Sequence, residues 1–424
     1  MKWWFRQSLT TKIFLGMLAG MIVGLLYPPI ENLKFVGDIF IAFIKVVVVP
    51  LVFAVLVVCM AAIDLRSLGR IGAKVLFFYT FTTVIATIVG VIMANIMRPG
   101  VGLDASVVSK LTAPKPATPP PIAEIFLNMV PTNIVDAAAK GNMIQIVVFA
   151  IFFGLMMGVV GKKADPVKDL MESTYQIMVK MVWAIMEMAP YAVFTLMAWL
   201  TAVTGLKALL PLSKYILATL IGITFQTVIV VSLCVALIAR VNPWHFYKRS
   251  LDYMMVAFTS RSSAASLPIA LQVAEQKLGI DPKIAGFSLP LGSVMNQDGS
   301  AIWWPIAAMF IAQLYGIPIT FEQQIHLVVL VNLIGLGSTG IPSGGIILLA
   351  MILTGMGWPV EGIALIIGVD VIPDMFRTCL NVVDDLSGAL MVAATEKGML
   401  RRDVLSGERE LAPDEITFTV GTKG

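Results

Sequence analysis

Apolar runs of about 20 residues, the length that an α-helix needs to cross a bilayer, recur along most of this 424-residue chain. The chain is 58% hydrophobic and only 13% charged, which is about half the charged fraction of a soluble domain. Together these features predict an all-α integral membrane protein with eight full spans. The predicted spans lie near residues 8–27, 36–63, 73–97, 143–161, 173–205, 211–240, 283–315 and 362–395.

The lysines and arginines predict how these spans are oriented. Basic clusters occur at residues 2–12, 66–74, 162–168, 240–249 and 397–402, and those in the alternate loops are sparser. By the positive-inside rule, both termini then face the cytoplasm, which requires an even number of crossings. No small-residue cleavage site follows the first apolar run, which is therefore predicted to stay as the first span of an inner (plasma) membrane protein. The net charge of +4 is too small to indicate a nucleic acid partner.

The last predicted span carries a polar stripe. Its six members, at offsets of 0, 4, 7, 8, 11 and 15 residues, are Asp370, Asp374, Arg377, Thr378, Asn381 and Asp385. This spacing places all six on one face of a helix whose flanks are apolar. A charged group at the centre of a bilayer costs at least about 2.5–3.5 kcal/mol and normally faces a bundle interior or a water-filled site. The stripe therefore predicts a site for ions and a small charged solute.

Three apolar segments are interrupted by small or polar residues. The run Asn296–Ser300 (Asn-Gln-Asp-Gly-Ser) breaks the seventh predicted span, and unwound backbone at membrane depth is typical of transporter ion sites. Segments 251–279 and 324–358 each contain a polar, Gly- or Ser-rich centre, at residues 259–268 and 335–345. Each is predicted to be a re-entrant helical hairpin, and paired interrupted segments indicate a transporter binding site.

Other patterns in the chain do not support catalysis or a resident metal. Gly335, Gly337 and Gly340 match G-x-G-x-x-G, but this motif needs a soluble β-α-β unit to bind a dinucleotide. Three isolated cysteines and two distant histidines form no metal-binding spacing, so the chain is not predicted to be an enzyme. In the first span, Gly16 and Gly24 flank Gly20 at intervals of four residues, a spacing that permits close packing against another helix, including a helix of a second subunit.

These interrupted segments resemble those of the glutamate transporter homologues, the dicarboxylate/amino acid:cation symporters. Residues 296–300 resemble the family's N-M-D-G-T, and residues 374–385 resemble its D-x-x-R-T-x-x-N-x-x-x-D. Residues 340–342 and 261–263 resemble the tips of its two hairpins, and residues 79–83 resemble an ion-site pattern in its third span. The similarity extends over most of the chain.

The resemblance implies a homotrimer in which each protomer has eight spans and two re-entrant hairpins and works by an elevator mechanism. Residues 1–72 and 143–205 would form the scaffold, and residues 73–97 and 206–398 the transport domain. Residues 98–142 would form an extracellular Pro-rich connector, and residues 399–424 a cytoplasmic tail.

The resemblance also implies roles for individual residues. Asp374 would hold the ammonium group of an acidic amino acid, and Arg377 its side-chain carboxylate. The other implied substrate-binding residues are Ser262, Ser263, Gly340, Ile341, Pro342, Thr378 and Asn381. The coupling ion would be Na⁺, and its implied ligands are Tyr79, Thr82, Thr83, Gly292, Asn296, Asp298, Gly335, Ser338, Asn381 and Asp385. Arg261 would brace the last helix through Asp374, and Asp370 has a structural role.

Four departures from the family pattern keep alternatives open. Gln297 lies beside a sodium position, so the number of sodium ions is open. Trp304 replaces a proton-carrying Glu of mammalian members, and Pro373 and Asp384 add a kink and a charge. The alternatives are a neutral amino acid or a C4-dicarboxylate as substrate, protons as the coupling ion, and a channel-like anion conductance. Arg377 and Asp374 could also simply neutralise each other.

Overall fold

The computed structural model describes residues 9–61, 69–102, 130–204, 209–336, 344–412 and 415–417. Within these ranges every regular element is helical, apart from an isolated antiparallel bridge between Ile280 and Leu400. The first seven helices are α1 (Leu9–Leu26), α2 (Lys34–Ala61), α3 (Gly69–Met97), α4 (Ile134–Lys140), α5 (Met143–Val160), α6 (Asp165–Met186) and α7 (Ala189–Thr204). The next five are α8 (Leu209–Phe225), α9 (Pro243–Ser260), α10 (Ser263–Gln276), α11 (Pro282–Met295) and α12 (Asp298–Leu314). Helix α8 is continued by the π-helical segments Gln226–Val231 and Val235–Ala239, with the short α-helical segment Ser232–Cys234 between them. The last five are α13 (Phe321–Gly335), α14 (Gly344–Met356), α15 (Ile363–Ile367), α16 (Val371–Thr395) and α17 (Arg402–Ser406).

Among the described residues, four continuous stretches are long and apolar enough to cross a membrane: Lys34–Val58, Arg70–Met97, Gln145–Ile185 and Leu210–Ala239. The other apolar helices are shorter than a bilayer is thick, or they are broken in the middle. The all-helical, membrane-type architecture is thus confirmed, and the count of eight spans stays a prediction.

The predicted span 173–205 is wrong as a single helix. The structure divides it into α6 and α7, with a turn at Glu187 and Met188. Pro190 lies in the first turn of α7, where it lacks the N–H that a continuous helix would require and its ring would clash with the preceding turn.

The three glycines of α1 pack against α7 of the same chain. A Cβ atom added at Gly16 or Gly20 would overlap the backbone carbonyl oxygen of Pro190 or Phe194, and one at Gly24 would overlap that of Ala198. Close helix packing is therefore confirmed, and the face that could have met a second subunit is used inside the protomer.

The helices form two groups by their contacts. Helices α1, α2, α5, α6 and α7 pack mainly on one another, whereas α3 packs against α12 in the C-terminal half. Helix α16 is central to that half, because it contacts α3 and each helix from α8 to α12. The predicted division into a scaffold and a transport domain stays a prediction, as does their separate movement.

Two helix pairs correspond to the predicted hairpins. Helices α9 and α10 are joined at Arg261 and Ser262, and α9 begins at Asn242, whose side chain accepts the N–H of Trp244 at 2.9 Å. Helices α13 and α14 also pack together, and α13 begins with a capping box between Thr320 and Gln323. The tip of this second pair, residues 337–343, lies outside the described residues.

Candidate functional site

Helix α16 buries the whole polar stripe. Each of its six members is at most 5% exposed, and Asp385 is fully buried. Charged residues of the stripe and of its surroundings form two clusters. We call Arg261, Asp370, Asp374 and Arg377 the arginine cluster, and Asp298, Asp384 and Asp385 the carboxylate cluster.

Arg377 is held by two carboxylates of its own helix. Its Nη1 and Nη2 atoms donate to the two oxygens of Asp370 at 2.8 and 3.1 Å, and its Nε donates to Asp374 Oδ1 at 3.0 Å. Such a bidentate pair is among the strongest charged hydrogen bonds in proteins. Arg377 therefore pairs with Asp374, as the charge-neutralisation alternative requires, and it also forms a bidentate pair with Asp370. Neither contact decides whether Arg377 binds substrate, which stays a prediction.

One face of the guanidinium is covered by a tryptophan. The Cζ atom of Arg377 lies 4.0 Å from the centre of the Trp303 ring, within the range of a cation–π interaction. The Trp303 indole donates to the hydroxyl of Tyr215, which fixes the ring. The next residue, Trp304, donates to the carbonyl oxygen of Gly345 at 3.0 Å, at the start of α14.

The turn of the first hairpin lies beside the arginine cluster. Arg261 ends α9 in a left-handed conformation (φ 54°), which is uncommon for a residue other than glycine. Its Nη1 atom lies 3.4 Å from Asp374 Oδ2, so the predicted brace from the hairpin to α16 is present. Ser262, Ser263 and Thr378 are buried, at 7%, 2% and 5% exposure.

Among the described residues, no lysine or arginine forms an ion pair with Asp385. Its Oδ1 accepts the side-chain N–H of Asn296 at 3.1 Å, whereas its Oδ2 and the Oδ1 of Asn296 have no hydrogen-bond partner in the described part of the chain. A Cβ atom at Gly292 would lie 2.5 Å from Asp385 Oδ1, so the backbone of α11 approaches this carboxylate closely. The Tyr79 hydroxyl is directed at two nearby carbonyl oxygens, those of Ser288 at 3.0 Å and of Asp385 at 3.2 Å.

Asp298 is surrounded by neutral donors. The Thr83 hydroxyl donates to its Oδ1 at 2.6 Å, and the amide of Gln226 donates to its Oδ2 at 3.2 Å. Thr82 donates to the carbonyl oxygen of Tyr79 at 3.2 Å, so its hydroxyl is already engaged. Gln226 begins the π-helical segment Gln226–Val231, which continues α8. Short π-helical segments are frequent at functional sites.

The break between α11 and α12 is attached to α16. The predicted interruption is confirmed, since α11 ends at Met295 and α12 begins at Asp298. The amide of Asn381 accepts the backbone N–H of Gly299 at 2.7 Å and donates to Gln297 Oε1 at 2.9 Å. A side chain at Gly299 would overlap the backbone of Arg377, so glycine is required for this approach. The amide of Asn381 and the amide oxygen of Gln297 thus already have protein partners.

Most of the residues predicted for the site lie together, and some remain unplaced. Ser338, Gly340, Ile341 and Pro342 lie outside the described residues. Gly335 ends α13, where an added Cβ would lie 3.3 Å from the Trp304 ring. Sequence reasoning missed Gln226, the stacking of Trp303 and the bidentate role of Asp370. Only Asp370 had a sequence signal, since its offset of seven residues from Arg377 is two helical turns.

The two clusters suit different ligands. A guanidinium between carboxylates can exchange one carboxylate partner for another. The carboxylate cluster offers only oxygen ligands, which are preferred by hard cations. Among the described residues, no group of three or more His, Cys, Asp or Glu side chains is arranged to hold a metal ion. An ion bound here would therefore also use hydroxyl, amide and backbone oxygens.

The chain is similar to known transport proteins over most of its length. A profile of the sodium:dicarboxylate symporter family matches residues 9–395. The chain is 35% identical over 423 residues to the proton/glutamate-aspartate symporter of Escherichia coli K12, which covers 95% of this chain and 96% of that relative. It is 34% identical over 400 residues to the proton/sodium-glutamate symport protein of Geobacillus stearothermophilus, covering 92% and 94%. It is 29% identical over 397 residues to the C4-dicarboxylate transport protein of Bacillus subtilis, again covering 92% and 94%.

Proposed function

The chain belongs to the sodium:dicarboxylate symporter family, and from this premise we propose that it imports an acidic amino acid, aspartate or glutamate, together with Na⁺. Membership of this family of transporters, together with the apolar helices, makes it a multi-pass protein of the plasma membrane. The observation that carries the proposal is the buried Arg377 guanidinium, which is 2% exposed and adjoins Asp374.

We propose an acidic amino acid as the substrate because its charges are complementary to those of Arg377 and Asp374. A substrate carboxylate would take the place of Asp370 or share the fork of Arg377, and the substrate ammonium would pair with Asp374. The hydroxyls of Thr378 and Ser263 and the amide of Asn381 would hold the remaining polar groups. The second hairpin, through Gly340, Ile341 and Pro342, would close over the substrate.

A C4-dicarboxylate is the second candidate, because of one contact. Asp374 already faces two guanidinium groups, those of Arg377 and Arg261. It therefore does not need a substrate ammonium for its neutralisation. The relative from Bacillus subtilis that is named a C4-dicarboxylate transport protein supports the same candidate.

Na⁺ is proposed as the coupling ion because of the carboxylate cluster. At one site, Na⁺ would be bound by oxygens of Asp385, Asn381 and Asn296 and by the carbonyl oxygen of Gly292. A second site would use Tyr79, Thr82, Thr83, Asn296 and Asp298, and a third the backbone around Gly335 and Ser338. Some relatives are named proton symporters and others proton/sodium symporters, so H⁺ is the competing ion.

The proposal includes the assembly and the movement that the family resemblance implies. The chain would form homotrimers with both termini in the cytoplasm. Helices α1, α2 and α5–α7 would form the fixed scaffold, and the helices around α16 would slide as the transport domain. The separate packing of the two groups supports this division.

Uptake of labelled L-aspartate into proteoliposomes tests the proposal. An inward Na⁺ gradient is compared with a choline gradient of equal strength, and glutamate, succinate and a neutral amino acid serve as competitors. We expect accumulation only with Na⁺, competition by glutamate, and none by the neutral amino acid. Accumulation of succinate rather than aspartate, retained in Asp374→Asn, would establish the second candidate. Accumulation driven by a proton gradient in choline medium would show that the coupling ion is H⁺ and not Na⁺.

A further inference from the structure

Two pairs of polar side chains attach helix α13 to α3. In the first pair, Asn95 Nδ2 donates to Gln324 Oε1 at 2.9 Å. In the second pair, Asn332 Nδ2 donates to Thr87 Oγ1 at 3.2 Å. The two pairs lie eight residues apart on each helix and in reversed order, so α13 runs antiparallel to α3. Hydrogen bonds between side chains of neighbouring helices stabilise helix packing in membranes, and these two together fix how far α13 slides along α3.

The Thr87–Asn332 pair is connected to the carboxylate of Asp298. Thr87 is fully buried, and its hydroxyl donates to the carbonyl oxygen of Thr83 at 2.9 Å while its oxygen accepts from Asn332. The hydroxyl of Thr83 in turn donates to Asp298 Oδ1 at 2.6 Å. One continuous series of contacts therefore leads from α13, through α3, to a carboxylate of the predicted ion site.

The side chain of Asn332 is held in one orientation. Besides Thr87, its Nδ2 donates to the carbonyl oxygen of Val328, one turn earlier in α13, at 2.8 Å. Both hydrogens of this amide group thus have acceptors. The contact with Thr87 therefore fixes the rotation of α13 about its axis as well as its position along α3.

Asn332 also lies one turn before the end of α13, which is at Gly335. The last carbonyl groups of a helix have no partner within it, and they carry the negative end of the helix dipole. A cation is stabilised at such an end. A Cβ atom added at Gly335 would lie 3.3 Å from the Trp304 ring of α12, the helix that begins at Asp298. The contact of Asn332 therefore sets where the carboxyl end of α13 lies relative to Asp298.

The Asn95–Gln324 pair has the same chemistry and a different location. The Nδ2 of Asn95 also donates to a carbonyl oxygen one turn earlier, that of Val91, at 2.9 Å. Asn95 is exposed, however, and lies in the last turn of α3, whereas Gln324 lies in the first turn of α13. This pair is thus remote from the carboxyl end of α13 and serves as a matched control.

We propose that Asn332 is a positioning residue for cation binding: through Thr87 it holds the carboxyl end of α13 where the ion site at Asp298 requires it. The inference rests on the proposed function and deepens it, because neither Asn332 nor Thr87 is among the ligands that the family resemblance implies. Asn332 binds no ion itself and acts through the positions of Thr87 and of α13. Loss of the contact weakens Na⁺ binding.

The test measures Na⁺ binding without substrate. Purified full-length protein in detergent is unfolded thermally over a Na⁺ series at constant ionic strength, with choline as the replacement cation. Ligand binding to the folded state raises the unfolding temperature, so the series gives a half-saturating Na⁺ concentration for each variant. The wild type is compared with Asn332→Leu, Thr87→Val, the double variant, the conservative Thr87→Ser and the control Gln324→Leu.

We expect Asn332→Leu and Thr87→Val each to raise the half-saturating Na⁺ concentration roughly three- to fivefold, the effect of losing one hydrogen bond between membrane helices. The double variant should show little more than either single variant, because the two residues share one contact. Thr87→Ser keeps the hydroxyl group and should retain the wild-type concentration. Gln324→Leu should lower the unfolding temperature without shifting the half-saturating concentration.

A purely structural role gives a different pattern. Asn332→Leu and Gln324→Leu would then lower the unfolding temperature alike, and both would keep the wild-type half-saturating concentration, which would overturn the inference. Equal shifts of that concentration in both variants would also overturn it. Thr87→Val replaces one hydroxyl by a methyl group, so it provides the same readout if Asn332→Leu does not fold.

The outcome separates this inference from the proposed function. Aspartate uptake plays no part in the unfolding assay, so failure of uptake would leave a shifted Na⁺ response in Asn332→Leu and Thr87→Val standing. Conversely, Na⁺-driven aspartate uptake by the wild type, together with an unchanged Na⁺ response in both variants, would support the transport function and reject the role of Asn332. A wild type whose unfolding does not respond to Na⁺ would reject that role together with Na⁺ as the coupling ion.

Discussion

The arginine cluster and the carboxylate cluster, which both include residues of helix α16, differ in how their charges are compensated. In the arginine cluster, two carboxylates face two guanidinium groups, and Trp303 covers Arg377. In the carboxylate cluster, the three carboxylates accept only from hydroxyl and amide donors, and among the described residues one oxygen of Asp384 and one of Asp385 have no partner. The charges of the first cluster balance within it, whereas those of the second have no basic partner in the described part of the chain.

This difference predicts the order in which ions and substrate bind. A substrate carboxylate at the arginine cluster has to compete with an internal carboxylate that already pairs with Arg377, so substrate binding alone gains little free energy. Cations at the other cluster remove repulsion between buried carboxylates. The two are linked through Asn381, which holds the α11–α12 break next to Arg377. We therefore expect cation binding to precede and strengthen substrate binding, as a coupling between two sites requires.

The largest effect is expected at Arg377. Arg377→Ala should abolish acidic-substrate uptake, because removing one partner of a buried charge pair costs about 2–5 kcal/mol, a factor of roughly 30 or more in affinity. Arg377→Lys keeps the charge but not the fork, so it should recover only part of the loss. The measurement is the KM for labelled aspartate.

The matched control is Arg409→Ala, which removes an arginine from an exposed ion pair of the C-terminal segment. It should transport like the wild type. An unchanged aspartate KM in folded Arg377→Ala would remove this residue from the substrate site and leave only its neutralising role.

Asp385→Asn should act on the ion and not on the substrate. Loss of a charged ligand costs about 1.5–3 kcal/mol, so the Na⁺ concentration for half-maximal uptake should rise roughly tenfold or more. Uptake at saturating Na⁺ would be less affected. Asp136→Asn, at an exposed ion pair of α4, is the control. A Na⁺ response equal to that of the wild type would exclude Asp385 from the ion site.

Asp370→Asn should leave the Arg377 guanidinium freer to pair with a substrate carboxylate. An amide cannot pair with both Nη atoms as a carboxylate does, so the substrate carboxylate meets a weaker competitor. We expect the KM for aspartate to fall by roughly fivefold, for about 1 kcal/mol, whereas Asp374→Asn should raise it. If both substitutions raise the KM equally, Asp370 orients Arg377 and does not compete with the substrate.

Asp370 also shows what the sequence could predict about the site. The stripe on α16 was predictable because it depends only on a helical period within one segment. The break at Asn296 was predictable for a similar reason, since Asn, Asp, Gly and Ser all favour non-helical backbone. The partners from distant segments were not, because no local period shows that Gln226 meets Asp298 or that Trp303 covers Arg377.

The fold shows the same limit. Apolar runs predicted most helices. The long apolar run at residues 173–205 gave no sign of the turn before Pro190, because hydropathy does not depend on the backbone N–H that a proline lacks. The glycines of α1 predicted a close contact without identifying its partner, which is α7.

The smallest effect is expected at the far end of α16, outside both clusters. Glu396 forms ion pairs with Lys74, at 2.8 Å, and with Arg70, and their hydrogen bonds lower the pKa of its carboxyl group. Because the folded state favours the carboxylate, the stabilisation is present above the ordinary pKa of about 4.3 and is lost as the pH falls through the lowered value. Glu396→Gln should lower the unfolding temperature slightly at pH 7, since Arg70 is largely exposed. The difference from the wild type should shrink below about pH 4. A difference that is the same at both pH values would mean that Glu396 stabilises the α3–α16 contact by packing and not by its charge.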